Sequence, residues 1–290
     1  MKMISPKKGF TKIALALALP VFASLSLTVN ANDKFYANPS IQQQAPQAFV
    51  LQQPNQQFLA LTQTKTIADA DKLLALLAQD KTVSTALQNW DTLSLEQQIP
   101  LLRQIFELEV ASFGIKPPKL VIDNHSYPGK MVYFDFKLTD RDNGTVYLNP
   151  EKLASQPQYA ALAFLLHETR HAYQLQLAMR PNQTQANPVF SRSYKASFTA
   201  QKQIKGMGFS DFLTLSNEYE AFLFGNYMIG RITHWQVDMI GMGTYASQFD
   251  SQGKLKMDLA KLATTESDLS LLEQYNQLAK AQFDARRASK

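Results

Sequence analysis

The chain has 290 residues, with 29 Lys and Arg against 24 Asp and Glu, no cysteine, and a formal net charge of +5 at pH 7. Without cysteine there are no disulfides and no acceptor thiol for a lipid anchor, so the fold has to be held by its core. The basic excess sits in the first thirty-one residues, where four lysines and no acid leave +1 for the rest, and no basic run marks a nucleic-acid partner.

Lys2, Lys7, Lys8 and Lys12 form a basic leader, Ile13 to Leu27 is apolar, and Val29-Asn30-Ala31 has the small residues of a cleavage site. This is the layout of a secretory signal peptide, with cleavage predicted after Ala31 and a mature protein in the periplasm or medium. The apolar run is short for a bilayer span and contains Pro20, so no membrane span is expected after cleavage.

Asn32 to about Thr66 is rich in Gln, Asn and Pro and lacks sustained periodicity, which predicts a flexible arm. Phe49, Val50, Leu51, Phe58, Leu59 and Leu61 are enough to dock it on the folded part, so a packed extension is the alternative. The domain proper is expected over 67–290. From Ile67 to Phe113, leucines 73, 74, 76 and 77, then Leu101, Leu102, Ile105, Phe106 and Val110 recur at spacings of three and four. They predict two or three helices, the later one capped by Asp91 or Ser94.

Beyond Pro117-Pro118 the period changes to two. Leu120-Val121-Ile122 reads as a short strand, and Val132, Phe134, Phe136 and Leu138 alternate with polar or half-polar residues. Asp142-Asn143-Gly144 is a hairpin signal before a returning strand, Thr145 to Leu148. A small antiparallel sheet is therefore expected ahead of a helix over Ala160 to Met179. Arg180 to Ser193, with two prolines, reads as a loop. Ser210 to Tyr227 reads as a second long helix, and Ser267 to Arg287 as a final amphipathic helix packed on the outside. The expected class is α+β, mostly helical.

Within the first of these long helices lies His167-Glu168-Thr169-Arg170-His171. At 3.6 residues per turn the two histidines project from one face a turn apart, close enough to bind one Zn²⁺. Glu168, one step round, can act as general base on a water without being a ligand. Leu162 to Leu166 is apolar on all sides, so the helix is expected to be buried, where imidazoles and a carboxylate need partners that a metal supplies.

The H-E-x-x-H pattern resembles that of the zincin metallopeptidases. Gln174 and Leu177 stand where metzincins continue with Gly and His, which rejects that class. Asn217-Glu218-Tyr219-Glu220-Ala221 instead resembles the N-E-x-x-A segment of gluzincins. That resemblance implies Glu218 as third zinc ligand and Ala221 as the small residue that lets two helices approach, with Glu220 as the competing ligand. It also implies an oxyanion donor later in the chain, for which His234, Tyr227 and Tyr245 are candidates. His125, beside Asp123 in a turn, reads as structural.

The expectation is an exported zinc peptidase acting on an amide bond in a protein or peptide. Peptidoglycan stem peptides are the alternative substrate. The rival from another class is a non-catalytic, zinc-stabilised envelope binding protein, whose site a fourth ligand such as His234 or Glu220 would close.

Overall fold

The computed structural model describes residues 36–239 and 241–288, with side chains through residue 281. The leader, its cleavage site and the first residues after it lie outside the described residues. In chain order the helices before the sheet are α1 (Pro39–Gln42), α2 (Gln56–Gln79), α3 (Lys81–Gln88) and α4 (Leu95–Phe113). The strands are β1 (Lys119–Ile122), β2 (Val132–Asp135) and β3 (Thr145–Leu148). Then come α5 (Pro150–Leu153), α6 (Ala160–Met179), α7 (Pro181–Thr184), α8 (Pro188–Gln203), α9 (Phe209–Leu213) and α10 (Ser216–Ile232). The chain ends in α11 (Leu259–Thr264) and α12 (Leu271–Ala288). This is an α+β fold, mostly helical with one small sheet.

The central element is α6. Its stretch from Leu162 to Leu166 is apolar on every side because the helix is covered on every side, by α4, α8, α10 and the β2–β3 pair. All of its residues except Tyr173 and Met179 are buried. The closest helical neighbour is α10, at whose Gly225 an added Cβ would lie 3.6 Å from the Ala163 carbonyl oxygen. Small residues there set how near the two helices come. Against this pair α4 is fixed by a capping box, the Ser94 hydroxyl accepting from Gln97 N while the Gln97 side chain accepts from Ser94 N. It ends at Gly114 in the left-handed region.

The sheet differs from the antiparallel one expected. Its order is β1-β3-β2, with β1 parallel and β2 antiparallel to β3. The alternation read through Leu138 stops pairing at Asp135, and residues 136–144 form a broad connection instead of a tight hairpin. Gly144 is needed there: at φ +81° its missing Cβ leaves room for the Phe134 ring, which a methyl would meet at 2.2 Å.

The segment read as a flexible arm is packed. Phe49 and Val50 are fully buried, and α2 begins at Gln56, so one helix runs through the boundary expected at residue 66. Two of the glutamines that look like a solvated tract are satisfied inside, while their neighbours face solvent: Gln42 Nε2 donates to Asp211 and Thr214, and Gln52 Nε2 to Gln42. Polar composition marks disorder only where the polar groups have no protein partners.

Two more boundaries moved. The expected loop from Arg180 holds α7 and the start of α8, because Pro188 occupies the first helical turn and the Asn187 side chain caps Val189 N. Proline at that position starts a helix. The second long helix is broken into α9 and α10 at Thr214–Leu215, where Val50 N donates to Thr214 O and Phe49 bridges Leu215. The N-terminal segment thus docks at the foot of α10. At the other end, α12 packs against the fold through Leu272 and Tyr275, as its amphipathic pattern predicts. Among the described residues no helix is long and apolar enough to cross a membrane.

Candidate metal centre

His167 and His171 on α6 and Glu218 on the first turn of α10 converge in a buried group that could hold a metal ion. The two Nε2 atoms are 3.0 Å apart, and the Glu218 carboxylate oxygens lie 3.3 Å from His167 Nε2 and 3.4 Å from His171 Nε2. Two imidazole nitrogens and a carboxylate at these separations make a donor set that could hold a metal ion. Each of the three side chains is about one-twentieth exposed. Aromatic rings close the surroundings: Phe222 lies 4.1 Å from the His167 ring, and Phe134 and Phe198 are at 5.8 and 6.2 Å from the His171 ring.

The electrostatics are those of a group in want of a cation. Burial holds the Glu218 carboxylate back from ionising, but the two histidines outweigh it and bring its pKa down to about 2. At His171 burial opposes the charged form and the Glu218 carboxylate more than compensates, raising the pKa to about 9. Burial and the neighbouring His171 depress His167. In the metal-free site one proton on His171 supplies the positive charge that a divalent ion would replace. Burial also pushes Glu168 up to about 8, with Glu218 adding to the rise and His171 opposing it.

Glu220 is committed elsewhere. Both its oxygens accept from Arg170 Nε, at 3.0 and 3.1 Å, and Oε1 also accepts from Arg170 Nη2 at 2.5 Å and from the Thr66 hydroxyl at 2.7 Å. Arg170 reaches on to Asp69 at 2.7 Å and is packed among Phe113, Tyr173 and Phe224. The competition between the two glutamates is thus resolved by geometry, with Glu218 at the histidines and Glu220 on the arginine.

Two of the oxyanion candidates, His234 and Tyr227, are placed away from the group. His234 is exposed in the turn after α10, at φ +52°, with about 21 Å of helix between Glu218 and Ile232. The Tyr227 hydroxyl pairs with Arg231 and Asp71, facing α2, and Tyr245 lies in the short turn Tyr245–Ser247. His125 stays exposed beside Asp123.

Three neighbours escaped the sequence reading. Gln174 Oε1 lies 2.8 Å from His171 Nδ1. It sits three positions after His171, a spacing that places two residues side by side on a helix, so this signal was available. Gln201 on α8 donates to Glu218 Oε1 at 2.6 Å, and Tyr133 on β2 lies close enough to Glu168 to feel its charge. Neither had a local signal, since both come from elements far away in sequence. No family model, curated protein or solved structure matches this chain.

Proposed function

We propose that this chain is a zinc-dependent peptidase of gluzincin type, acting outside the cytoplasm on an amide bond in a protein or peptide. The observation that carries the reading is the placement of Glu168. It adjoins a group of two imidazoles and one carboxylate, is not part of that group, and is a buried carboxyl whose proton affinity burial raises, which suits it to accept and return a proton. Zinc held by His167, His171 and Glu218 would supply a Lewis acid for the scissile carbonyl and acidify a water. Glu168 takes a proton from the attacking water and returns it to the leaving nitrogen as the C–N bond breaks. Glu218 lowers the net charge of the centre, and the aromatic rings around the histidines keep bulk water out.

Among the described residues no fourth ligand joins the three, and Glu220 is locked to Arg170, which favours a catalytic over a purely structural site. A polypeptide substrate is supported by β2. It is an edge strand of the sheet, it carries Phe134 against His171 and Tyr133 near Glu168, and no described strand pairs with its outer side. The export reading rests on the basic and apolar leader of the sequence.

The test is metal analysis of the purified protein followed by hydrolysis of casein and of peptidoglycan, by wild type and by Glu168→Gln. The expected result is zinc-dependent hydrolysis that falls by roughly 10²-fold or more in the variant while zinc content stays the same. Peptidoglycan cleavage without casein cleavage would move the substrate to cell-wall peptides. Zinc binding with near-normal turnover in Glu168→Gln would remove Glu168 as the base, and with it the peptidase reading.

A further inference from the structure

We propose that Gln174 is a positioning residue that fixes which nitrogen of His171 carries a proton, and that Arg170 and Glu220 hold Gln174 in the orientation this requires. The inference rests on His167, His171 and Glu218 being metal ligands and does not depend on the peptidase chemistry.

A guanidinium is always charged and only donates, and that of Arg170 is fully buried with its fork on both oxygens of Glu220. The paired Glu220 carboxylate can therefore only accept. Gln174 Nε2 lies 2.6 Å from Glu220 Oε2 and 2.9 Å from the Asn217 carbonyl oxygen, two groups that both accept. The amide must turn its NH₂ toward them, because the reverse orientation would set its oxygen against two others in a buried site. Its Oε1 then faces His171 Nδ1 at 2.8 Å, and an amide oxygen has no hydrogen to give. His171 Nδ1 must supply the proton. In the neutral ring this leaves the lone pair on Nε2, the atom that points at His167 Nε2 and Glu218.

Every group along this line is buried, so water does not compete for the roles. The helices contribute by register. At about 100° per residue, Gln174 falls on α6 between the side that carries His167 and His171 and the side that carries Arg170, so it touches both. Glu220 comes from α10, as Glu218 does, so one helix supplies both the metal-binding carboxylate and the anchor that orients the metal-binding imidazole. The second x of the H-E-x-x-H pattern is, in this chain, the root of a strut that ends on the pattern's last histidine.

The experiment measures zinc affinity by titration against a competing chelator, together with the ring N–H signals of ¹⁵N-histidine-labelled protein. In wild type the His171 Nδ1–H should be protected from exchange. Gln174→Leu should bind zinc about ten- to a hundredfold more weakly and lose that protection. The exchange of Gln174→Glu with Glu220→Gln preserves an acceptor for Nδ1–H, a donor between the two positions and the total charge, and removes only the donor to the Asn217 carbonyl. That double variant should bind zinc within about tenfold of wild type and regain the protected signal, a rescue that mere packing would not give. A folded Gln174→Leu with wild-type zinc affinity and a protected Nδ1–H overturns the proposal. Should that variant not fold, the double variant decides alone, and weak binding without the protected signal overturns it. If wild type binds no zinc, the ligand reading fails separately, and protection of Nδ1–H in metal-free protein still decides for or against the strut.

Discussion

Glu218 and Glu220 stand two residues apart on one helix, both buried, both paired with cations of α6, and the two clusters they make behave differently. The partners of Glu218 are imidazoles, which can give up their protons and leave two neutral nitrogens beside a carboxylate. The partner of Glu220 is a guanidinium, which cannot. One cluster can therefore exchange a proton for a metal ion, while the other keeps the same charges under all ordinary conditions. The comparison teaches that burial and a neighbouring acid do not by themselves make a functional site. What matters is whether the cation can leave.

The fixed cluster should give the largest effect when broken. Arg170→Met leaves Glu220 in the core without its main partner and frees Asp69 of one of its two cations. Removing one member of a buried pair costs about 3–5 kcal/mol, far more than the pair contributes relative to an apolar replacement of both members. Denaturant unfolding of the metal-free variant should show a loss of that size, and adding Glu220→Leu to Arg170→Met should recover a large part of it. A loss below about 1 kcal/mol in the single variant would mean that water or a shifted side chain reaches Glu220, and the cluster would no longer count as fixed.

The two clusters were unequally legible. The histidines and Glu168 could be placed on α6 from sequence because their geometry is local, set by helix repeat alone. Glu218 could be singled out only through its resemblance to a known segment, since 47 positions separate it from His171. Arg170 carries no signal of its own inside the motif, because its function depends on where α10 packs. The same limit hid the N-terminal segment: Gln42 and Gln52 look solvated in one dimension and are buried donors in three. Period and punctuation predicted most helices, yet they failed where proline starts a helix, as at Pro188. They failed again where a distant strand-like contact breaks one, as Phe49 does at Leu215.

The exchangeable cluster is tested next by separating its glutamate from its neighbour. Glu218→Ala removes one of three ligands and the only anionic one, so zinc affinity should fall by at least about a hundredfold. Glu220→Gln leaves the ligand set whole and reaches it only through Gln174, so its zinc affinity should fall by clearly less than that of Glu218→Ala. Titration of both variants beside wild type checks the contrast. The opposite ranking would move the third ligand to Glu220 and undo the division between the two clusters.

The mildest test uses pH in place of mutation. In the metal-free site His171 carries a proton until about pH 9, His167 is held below its ordinary value, and Glu218 is ionised down to about pH 2. Between pH 6.5 and 8.5 a metal ion entering the site has one ligand proton to displace, the one on His171 Nε2. Apparent zinc affinity should therefore rise about tenfold per pH unit across that window and level off above pH 9. The same proton works the other way on the metal-free fold. A histidine with a raised pKa adds stability that is complete below its unfolded value near pH 6.5 and disappears as pH climbs through about 9. Metal-free protein should lose stability over the pH range in which zinc binding tightens, whereas Arg170 and Glu220 contribute no such slope there. Zinc affinity that is flat from pH 6.5 to 8.5, with metal-free stability equally flat, would show that His171 holds no exchangeable proton and that the two clusters do not differ in the way their geometry indicates.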